Sequence, residues 1–505
     1  MAQEESAGGR VVGVGALPEI VNLSLMSLMM GNGMSGTYPR YQGTLRIDQN
    51  LLINSQYTPG SPLFLPSGAH IYNKLISFLR AQYVRYGFQE VLTPNIYKAA
   101  LWETSGHWEN YKDDMFQVSG RGVSGVQDEG DQPVEYGLKP MNCPGHCVMF
   151  SMTSGSRSFR DMPVRYADFS PLHRNEISGA LTGLTRLRRF HQDDGHIFCR
   201  PSQIVDEIQK SLEFIETVYN AFHLPKPEFV LSTRPENFMG DIAVWNRAEE
   251  ALQTALNESG QPWTINEGDG AFYGPKIDII LTDSDGKKHQ TATVQLDFQL
   301  PERFDLTYKS PAPELEAQGI ETTDPEQLAT SGLVRPVIIH RAVLGSLERF
   351  MALLMEHYRG RWPFWISPKQ CKVIPVDNRS QELIDYAKRV QASLSGLPDE
   401  SPEARKIPVP MSKRAFKVDI DESADNLKKK IVKARKEGYT FLCVVGMKDL
   451  ADGMVALDVT HPEAIGGADV MGLVKRALGA EGSERVRAKP EAVYDMFKQM
   501  EDGYH

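Results

Sequence analysis

The chain is poor in cysteine, with 5 in 505 residues, and this excludes a scaffold held together by disulfides. So few cysteines are typical of a protein kept in a reducing compartment. Long apolar runs are lacking too, since none reaches the roughly 18 to 20 residues that a membrane-spanning helix needs. The longest, 21–34, contains asparagine, serine and glycine. We therefore expect no membrane segment.

Excess positive charge and the common phosphate-binding loop are also missing. Lysine and arginine number 55 against 65 aspartates and glutamates, a net charge of −10. This argues weakly against a nucleic-acid partner, although binding depends on local patches. No G-x-x-x-x-G-K-[ST] occurs, which excludes a P-loop. With 41% hydrophobic and 24% charged residues, the chain is an ordinary globular one, and its length predicts two to four domains.

The periodicity of apolar residues predicts a mixed segment of strands and helices, followed after Pro368 by alternating strands and helices typical of a separate α/β domain. The strands predicted before Pro368 are 88–93, 163–170, 190–199 and a hairpin over 276–298. The helices predicted there begin near His70 and, capped by Ser202, near Ile204. Two segments, 120–132 and 311–332, are predicted to be loops.

The stretch "MNCPGHC" (141–147) places two cysteines and a histidine within seven positions. Cys143 and Cys147 are four apart, which is not the spacing of a C-x-x-C redox pair. A closed structural zinc site usually shows two short-spaced ligand pairs, whereas an open site needs three ligands that can be far apart. Further candidate ligands are His191, His196, Cys199 and His340. Spacing alone leaves the choice open between a metal site and ordinary buried side chains.

Four arginines flank a glycine-rich connection between two predicted strands: Arg174, Arg186, Arg188 and Arg189. Guanidinium groups suit phosphate oxygens, and glycine lets a backbone approach a ligand closely. The pattern favours an anion-binding loop, with a solvated basic hairpin as the alternative. The stretch "GDGAFYGPK" (268–276), which leads into a strand, is a weaker signal of the same kind.

Five long segments occur in a fixed order. They are "MNCPGHC", "HRNEISGALTGLTRLRRFHQDDGHIFC", "GDGAFYGPKIDI", "TATVQLDFQLPERFDL" and "PVIIHRAVLGSLERFMALL". Together they resemble the threonyl-tRNA synthetases, a family of class II aminoacyl-tRNA synthetases. The resemblance covers about residues 45–505 and is thin after Val376. It is consistent with the missing P-loop, because class II enzymes hold ATP on an antiparallel sheet.

The resemblance implies an α+β fold with two functional domains. Residues 45–367 are expected to form the class II catalytic domain, an antiparallel sheet with flanking helices, and 368–505 a C-terminal α/β anticodon-binding domain. Residues 1–44 are expected to be a disordered or targeting tail. The family also implies a homodimer that associates through the segment 71–94.

The activity implied is ligation of threonine to tRNA(Thr) in two steps, ATP-dependent formation of threonyl-adenylate and transfer to the tRNA 3′ end. Mg²⁺ is expected with ATP. The alternatives are an enzyme of this fold that charges another amino acid and a non-catalytic tRNA-binding paralogue. Longer relatives carry an N-terminal domain that hydrolyses mischarged seryl-tRNA, and we expect this chain to lack it. The likeness to short fungal mitochondrial enzymes favours the mitochondrial matrix, with the cytoplasm as the alternative, although residues 1–44 lack the arginine-rich, acid-poor composition of a presequence.

Cys143, His196 and His340 align with the family's zinc ligands. One thiolate and two imidazoles leave a coordination position open, which in the family is filled by the substrate's amino and hydroxyl groups. A site built for a hydroxyl rejects valine far more strongly than an apolar pocket can. The resemblance therefore implies zinc as a specificity device.

The remaining roles are implied position by position. The residues aligned with ATP-binding positions are Arg174, Glu176, Arg186, Phe190, Gln290 and Arg349. Those aligned with the amino-acid pocket are Met141, Gln192, Asp194, Tyr273 and Gln295. Arg174 is expected to clamp the α-phosphate of ATP and the carboxylate of the amino acid, where it would stabilise the charge that develops during the attack. Phe190 is expected to stack on adenine, with Arg349 on the opposite face of the base. His107 aligns with a histidine that deprotonates the terminal ribose hydroxyl, with a purely structural role as the alternative.

The C-terminal segment departs from the family pattern. Ser423 stands where the family commonly has an arginine that helps to read the anticodon. The lysine-rich helix predicted over 426–436 can neutralise tRNA phosphates, although such helices are more often plain solvated faces.

Overall fold

The computed structural model describes residues 49–118, 135–154, 157–282, 286–397, 401–460, 469–482 and 486–505. All of them lie in one compact unit, 41–505. The predicted tail 1–44 and the predicted loop 120–132 lie outside the described residues. Within these ranges, no helix combines the length and apolarity that crossing a bilayer requires.

The described helices and strands alternate irregularly along the chain. The α-helices are α1 (Pro66–Arg85), α2 (Ala99–Ser105), α3 (His107–Tyr111), α4 (Cys143–Ser154), α5 (Ile204–Ala221), α6 (Ile242–Glu258), α7 (Gln299–Arg303), α8 (Pro313–Glu316), α9 (Pro325–Leu328), α10 (Leu347–His357), α11 (Gln381–Ser395), α12 (Leu427–Lys436), α13 (Met447–Asp452), α14 (Val470–Ala477) and α15 (Pro490–Asp502). The strands are β1 (Leu52–Ile53), β2 (Leu63–Phe64), β3 (Gln89–Glu90), β4 (Ile96–Lys98), β5 (Gln117–Val118), β6 (Tyr136–Leu138), β7 (Val164–Asp168), β8 (Pro171–His173), β9 (Arg189–Cys199), β10 (Glu228–Ser232), β11 (Trp263–Asn266), β12 (Lys276–Thr282), β13 (Lys288–Asp297), β14 (Tyr308–Pro311), β15 (Ser331–Val334), β16 (Val337–Ser346), β17 (Cys371–Pro375), β18 (Val418–Ile420), β19 (Phe441–Val445), β20 (Val455–Val459) and β21 (Val486–Ala488).

The first half of the chain is organised around a nine-stranded sheet of order β11-β10-β12-β13-β16-β9-β7-β3, with β8 also paired to β9. Every pairing from β10 to β7 along this order is antiparallel. The helices α5 and α10 pack on the central strands and bury apolar faces in the main hydrophobic cluster. The predicted antiparallel sheet with flanking helices is confirmed.

The central strands β9 and β16 are buried along most of their length, as strands covered on both faces must be. Ser346 ends β16 and begins α10, because its hydroxyl accepts the backbone N–H of Arg349 at 3.2 Å. This cap places Arg349 in the first turn of a helix that leaves directly from the sheet.

The C-terminal part contains a five-stranded sheet of order β18-β17-β19-β20-β21. Strands β18, β17 and β19 are parallel, and the last two pairings are antiparallel. Its apolar residues, joined by Phe364, form a hydrophobic cluster separate from the first. Contacts such as the Lys74–Glu501 ion pair and the edge-on packing of Phe78 and Tyr504 rings at 5.1 Å connect the two parts.

Three local predictions need correction. Ser202 does not cap α5; the N-cap is Gln203, which lacks a side-chain cap bond there because its Oε1 accepts the N–H of Arg200. The segment 311–332 is not a plain loop but holds α8 and α9, each started by a proline, and leads into β15. The strand predicted over 88–93 is regular only at Gln89–Glu90, at an edge of the sheet.

Candidate active site

Three side chains predicted to bind a metal converge on one face of the central sheet. In the register of β9, β16 and β13, His196 lies opposite His340, and His340 opposite Gln295. Cys143, the first residue of α4, completes the group. One donor atom from each of Cys143, His196 and His340 lies within 4.8 Å of the others, and all three residues are buried.

The other candidate ligands are elsewhere because side chains alternate across a strand. His191 is an odd number of positions from His196, and its Nδ1 lies 2.8 Å from Glu348 Oε1. Cys199 is buried in the main hydrophobic cluster. Cys147, one turn further along α4, belongs to the same apolar cluster as Cys143, but among the described residues its sulfur is not part of the converging donor group.

The donor set fits a zinc ion with an open position. Burial, aided by the Asp194 carboxylate, raises the pKa of Cys143 well above its usual value, so a thiolate is stable here only beside a cation, which deprotonates a coordinating thiol. His340 Nε2 lies 2.8 Å from Asp297 Oδ2, and a carboxylate behind a ligating histidine is the usual way its ring is oriented. One sulfur and two nitrogens are ligands that Zn²⁺ prefers.

Predicted amino-acid-binding residues surround this cluster. Asp194 is two positions before His196 on the same face of β9, with its Oδ1 3.7 Å from His196 Nε2. Asn142 donates its amide to the other Asp194 oxygen at 3.0 Å. Tyr273 donates its hydroxyl to Gln295 Oε1 at 3.2 Å, and its ring centre lies 5.9 Å from that of His340.

A cavity of about 630 Å³ opens beside this cluster on the same sheet. Its size is that of a typical ligand site. The predicted ATP-binding and amino-acid-binding residues that line it are Arg174, Glu176, Arg186, Phe190, Gln192, Gln290 and Arg349.

Some of the polar side chains of the cavity already contact other side chains of the site. The Arg174 guanidinium lies over the Phe190 ring, 5.1 Å from its centre. Within the described ranges, the buried Nε atoms of Arg174 and Arg349 have no hydrogen-bond partner, which leaves both free for an anion. Arg186, by contrast, is exposed and paired with Glu176 at 2.8 Å.

His107 begins α3 at the edge of a second, narrow cavity that Cys143 and Tyr273 also line. Its Nδ1 lies 2.8 Å from the hydroxyl oxygen of Ser105, which itself donates to the carbonyl of Trp102 at 3.2 Å. Ser105 therefore accepts from Nδ1–H, and Nε2 keeps a lone pair, 3.2 Å from the sulfur of Met141. Burial lowers the pKa of His107 to about 4 despite the opposing field of Asp297.

Several polar residues of the site were not identified from the sequence. Asp278 is buried, accepts the hydroxyl of Ser232 at 2.8 Å and is also bonded to the Gln290 amide. Asp278 alternates with isoleucines on β12, and this strand pattern could have predicted a buried carboxylate there. Asp297 likewise shares a strand face with Gln295, two positions before it. Nothing in the sequence around Ser105 indicates its contact with His107.

The antiparallel sheet and this pocket define a class II aminoacyl-tRNA synthetase. The model of the tRNA synthetase class II core domain (G, H, P, S and T) matches residues 125–358, and that of the anticodon binding domain matches 370–465.

Similarity to individual proteins shows which family within this class the chain belongs to. The chain is 48% identical over 418 residues to the probable mitochondrial threonine–tRNA ligase of Schizosaccharomyces pombe, covering 83% of this chain and 84% of that protein. It is 49% identical over 409 residues to the cytoplasmic threonine–tRNA ligase 1 of Rattus norvegicus, covering 81% of this chain and 52% of that one. The crystal structure of the RNA binding domain of Cryptosporidium parvum threonyl-tRNA synthetase has a TM-score of 0.73 at 39% identity, covering 91% of this chain and 98% of that one. The chain therefore belongs to the threonine–tRNA ligases, which are enzymes of tRNA aminoacylation.

Proposed function

We propose that this chain ligates threonine to tRNA(Thr) in two steps at one site, with ATP and its Mg²⁺ in the larger cavity and threonine between that cavity and a zinc ion on Cys143, His196 and His340. The observation that carries the proposal is the convergence of these three residues beside a cavity lined by Arg174 and Arg349. Pyrophosphate exchange measured with each of the twenty amino acids tests it. Exchange is expected to be fastest with threonine and slower with serine, which carries the same amino and hydroxyl groups, and to be absent with valine. Exchange with another amino acid alone, or with none, would contradict it.

In the first step, a threonine carboxylate oxygen bonds to the α-phosphorus and pyrophosphate leaves. The Arg174 guanidinium, which lines the cavity, can then donate to the oxygens on which charge develops, and Arg349, which also lines it, covers one face of adenine. Phe190, already stacked against Arg174, offers a face for adenine. Arg186 reaches the terminal phosphates only after its pairing with Glu176 is given up, which frees Glu176 to accept from the adenine amino group. Water completes much of the Mg²⁺ shell.

Recognition of threonine rests on groups held in place before the substrate arrives. Zinc would supply a Lewis-acid site for the amino and hydroxyl groups. Asp194, fixed by Asn142, accepts from the hydroxyl, and a site built in this way rejects valine because the carboxylate would be left unpaired. Gln192, Tyr273 and Gln295 bound the amino and carboxylate end of the pocket, and Met141 contacts His107 through its sulfur.

In the second step, the terminal ribose hydroxyl of tRNA attacks the threonyl carbonyl while His107 Nε2 takes its proton. The bond between the carbonyl carbon and the phosphate oxygen of the adenylate breaks, and AMP leaves. Ser105 holds the required tautomer by accepting from Nδ1–H. The His107 ring is neutral before the transfer, as a general base must be.

This assignment predicts an unusual pH profile for the transfer step. Because the pKa of His107 is lowered to about 4, the neutral form persists at every higher pH and is lost only as pH falls through that value. We expect the single-turnover rate of transfer from bound adenylate to tRNA to be flat between about pH 6 and 8. A rate that halves near the ordinary histidine pKa of about 6.5 would contradict the assignment, and His107→Asn should lower the rate about equally across this range.

We also propose a homodimer that associates through the segment 71–94. The segment is the one that the family resemblance assigns to the dimer, and two of its large apolar side chains, Val84 at 74% and Leu92 at 79%, are exposed and would lose contact with water if a second subunit covered them. The Leu92→Asp variant should therefore be monomeric by light scattering while the parent is dimeric. Ile407→Asp is the matched control, since Ile407 is 69% exposed but lies in the C-terminal part. A monomeric parent, or a dimeric Leu92→Asp protein, would refute this interface.

The remaining assignments concern domains and location. Separate sheets and hydrophobic clusters support a catalytic domain at 45–367 and an anticodon-binding domain at 368–505. The 48% identity to a mitochondrial relative supports residence in the mitochondrial matrix, and the similar identity to a cytoplasmic one keeps the cytoplasm as the alternative. Imaging of the tagged full-length chain tests this, and exclusively cytosolic signal would contradict the matrix assignment.

A further inference from the structure

His146 is a fully buried histidine that the mechanism above does not use. It lies on α4 between Cys143 and Cys147, and its Nδ1 is 2.8 Å from Nδ1 of His196. The two rings are nearly perpendicular, with centres 4.7 Å apart. His146 therefore contacts the ring nitrogen of His196 that faces away from the proposed metal position.

The short distance fixes which nitrogen carries each proton. A neutral histidine has one donor and one acceptor nitrogen. For His196 to offer the Nε2 lone pair to a metal, its Nδ1 must carry the proton and donate it to His146. The Nδ1 of His146 is then the acceptor, so the proton of His146 is on Nε2.

A buried carboxylate lies on that side of His146. Asp168 Oδ2 is 3.7 Å from His146 Nε2, and both side chains are fully buried. The carboxylate also accepts the hydroxyl of Thr93 at 2.6 Å and the backbone N–H of Ser170 at 2.8 Å, and the Lys139 ammonium is 3.8 Å away. Burial by itself would raise the pKa of Asp168, but the nearby His146 ring, the Lys139 charge and the hydroxyl donors hold it well below its usual range.

We propose that His146, with the Asp168 carboxylate 3.7 Å behind its Nε2, forms a relay that positions His196 as a zinc ligand through the hydrogen bond between their Nδ1 atoms. All the donors in this relay point in the same direction. The N–H of His146 faces Asp168, and the Nδ1 of His146 accepts the proton that His196 Nδ1 donates. His196 Nε2 is then free to bind the metal. A carboxylate behind a ligating histidine fixes its tautomer and raises its basicity; here a second histidine is inserted between the two. His340 uses the direct form, with Asp297 at 2.8 Å.

The inference rests on the proposed zinc site, and zinc affinity tests it separately from activity. His146→Phe keeps a ring of similar size but removes the acceptor, and we expect zinc affinity, measured by competition with a chromophoric chelator, to fall about 10- to 100-fold. His146→Asn retains an acceptor oxygen near the Nδ1 position and should recover most of that loss. The KM for threonine should follow the same order, while the KM for ATP stays unchanged.

The matched control is Cys147→Ala, a change at the adjacent buried position of the same helix that leaves the donor set intact. It should bind zinc as the parent does. Equal zinc affinity in His146→Phe and the parent would overturn the relay, as would equal losses in the Phe and Asn variants. A parent protein that binds no zinc would overturn the metal site itself, which distinguishes the two failures.

Discussion

Cys143→Ser removes zinc and threonine activation together. A neutral serine hydroxyl is a poor ligand for Zn²⁺, and the two histidines alone leave the ion with too few protein donors. Because the proposed pocket recognises threonine through the metal, we expect threonine-dependent pyrophosphate exchange to fall by about a thousandfold or more, the range typical of losing a contact to a substrate hydroxyl. Elemental analysis of the purified variant should show zinc well below one equivalent per chain.

The control for this variant lies one helical turn away. Cys147 is as deeply buried as Cys143 and belongs to the same apolar cluster, but among the described residues it is not part of the converging donor group. Cys147→Ala should therefore keep both zinc and exchange activity. ATP binding, followed by the fluorescence of a nucleotide analogue, should survive in both variants because the ATP cavity does not include either cysteine. Threonine activation that persists in metal-free Cys143→Ser protein would disprove the role of the metal.

Strand periodicity contains a signal for one part of this site that the spacing of the candidate ligands does not. On β9, Phe190, Gln192, Asp194 and His196 are spaced by two and share a face, which separates His196 from His191 and Cys199. What periodicity could not provide is the pairing of His196 with His340, because the register between β9 and β16 depends on the whole sheet. The resemblance to a known family supplied that pairing instead.

The fold was predicted best where the physical signal is local. Long amphipathic helices such as α1 and α5, and the hairpin of β12 and β13, follow from apolar periodicity. The errors lie where neighbouring side chains compete for the same backbone groups. At the start of α5, for example, the Gln203 side chain accepts the backbone N–H of Arg200, and the predicted cap by Ser202 does not form. Buried polar partners such as Ser105 and Asp168 belong to networks assembled from distant segments, which no window of sequence contains.

Arg174→Ala abolishes adenylate formation but leaves tRNA binding largely intact. The guanidinium sits in the wall of the ATP cavity against Phe190, with a buried Nε that has no partner among the described residues. Removing a donor aimed at developing charge typically lowers a rate by about 100- to 1,000-fold, and here the same group is proposed to orient the threonine carboxylate. We therefore expect pyrophosphate exchange to fall by at least about a thousandfold.

Arg174→Lys separates charge from geometry in this prediction. Lysine keeps the positive charge but lacks the planar fork that can contact the α-phosphate and the carboxylate at once. Exchange should therefore recover only in part, to a level between those of the parent and of Arg174→Ala. Filter binding of tRNA should change less than about threefold in both variants, because the proposed anticodon-binding domain and its phosphate contacts are untouched. Exchange at the parental rate in Arg174→Ala would show that this arginine does not act on the α-phosphate, whereas a parallel loss of tRNA binding would show that its role is structural.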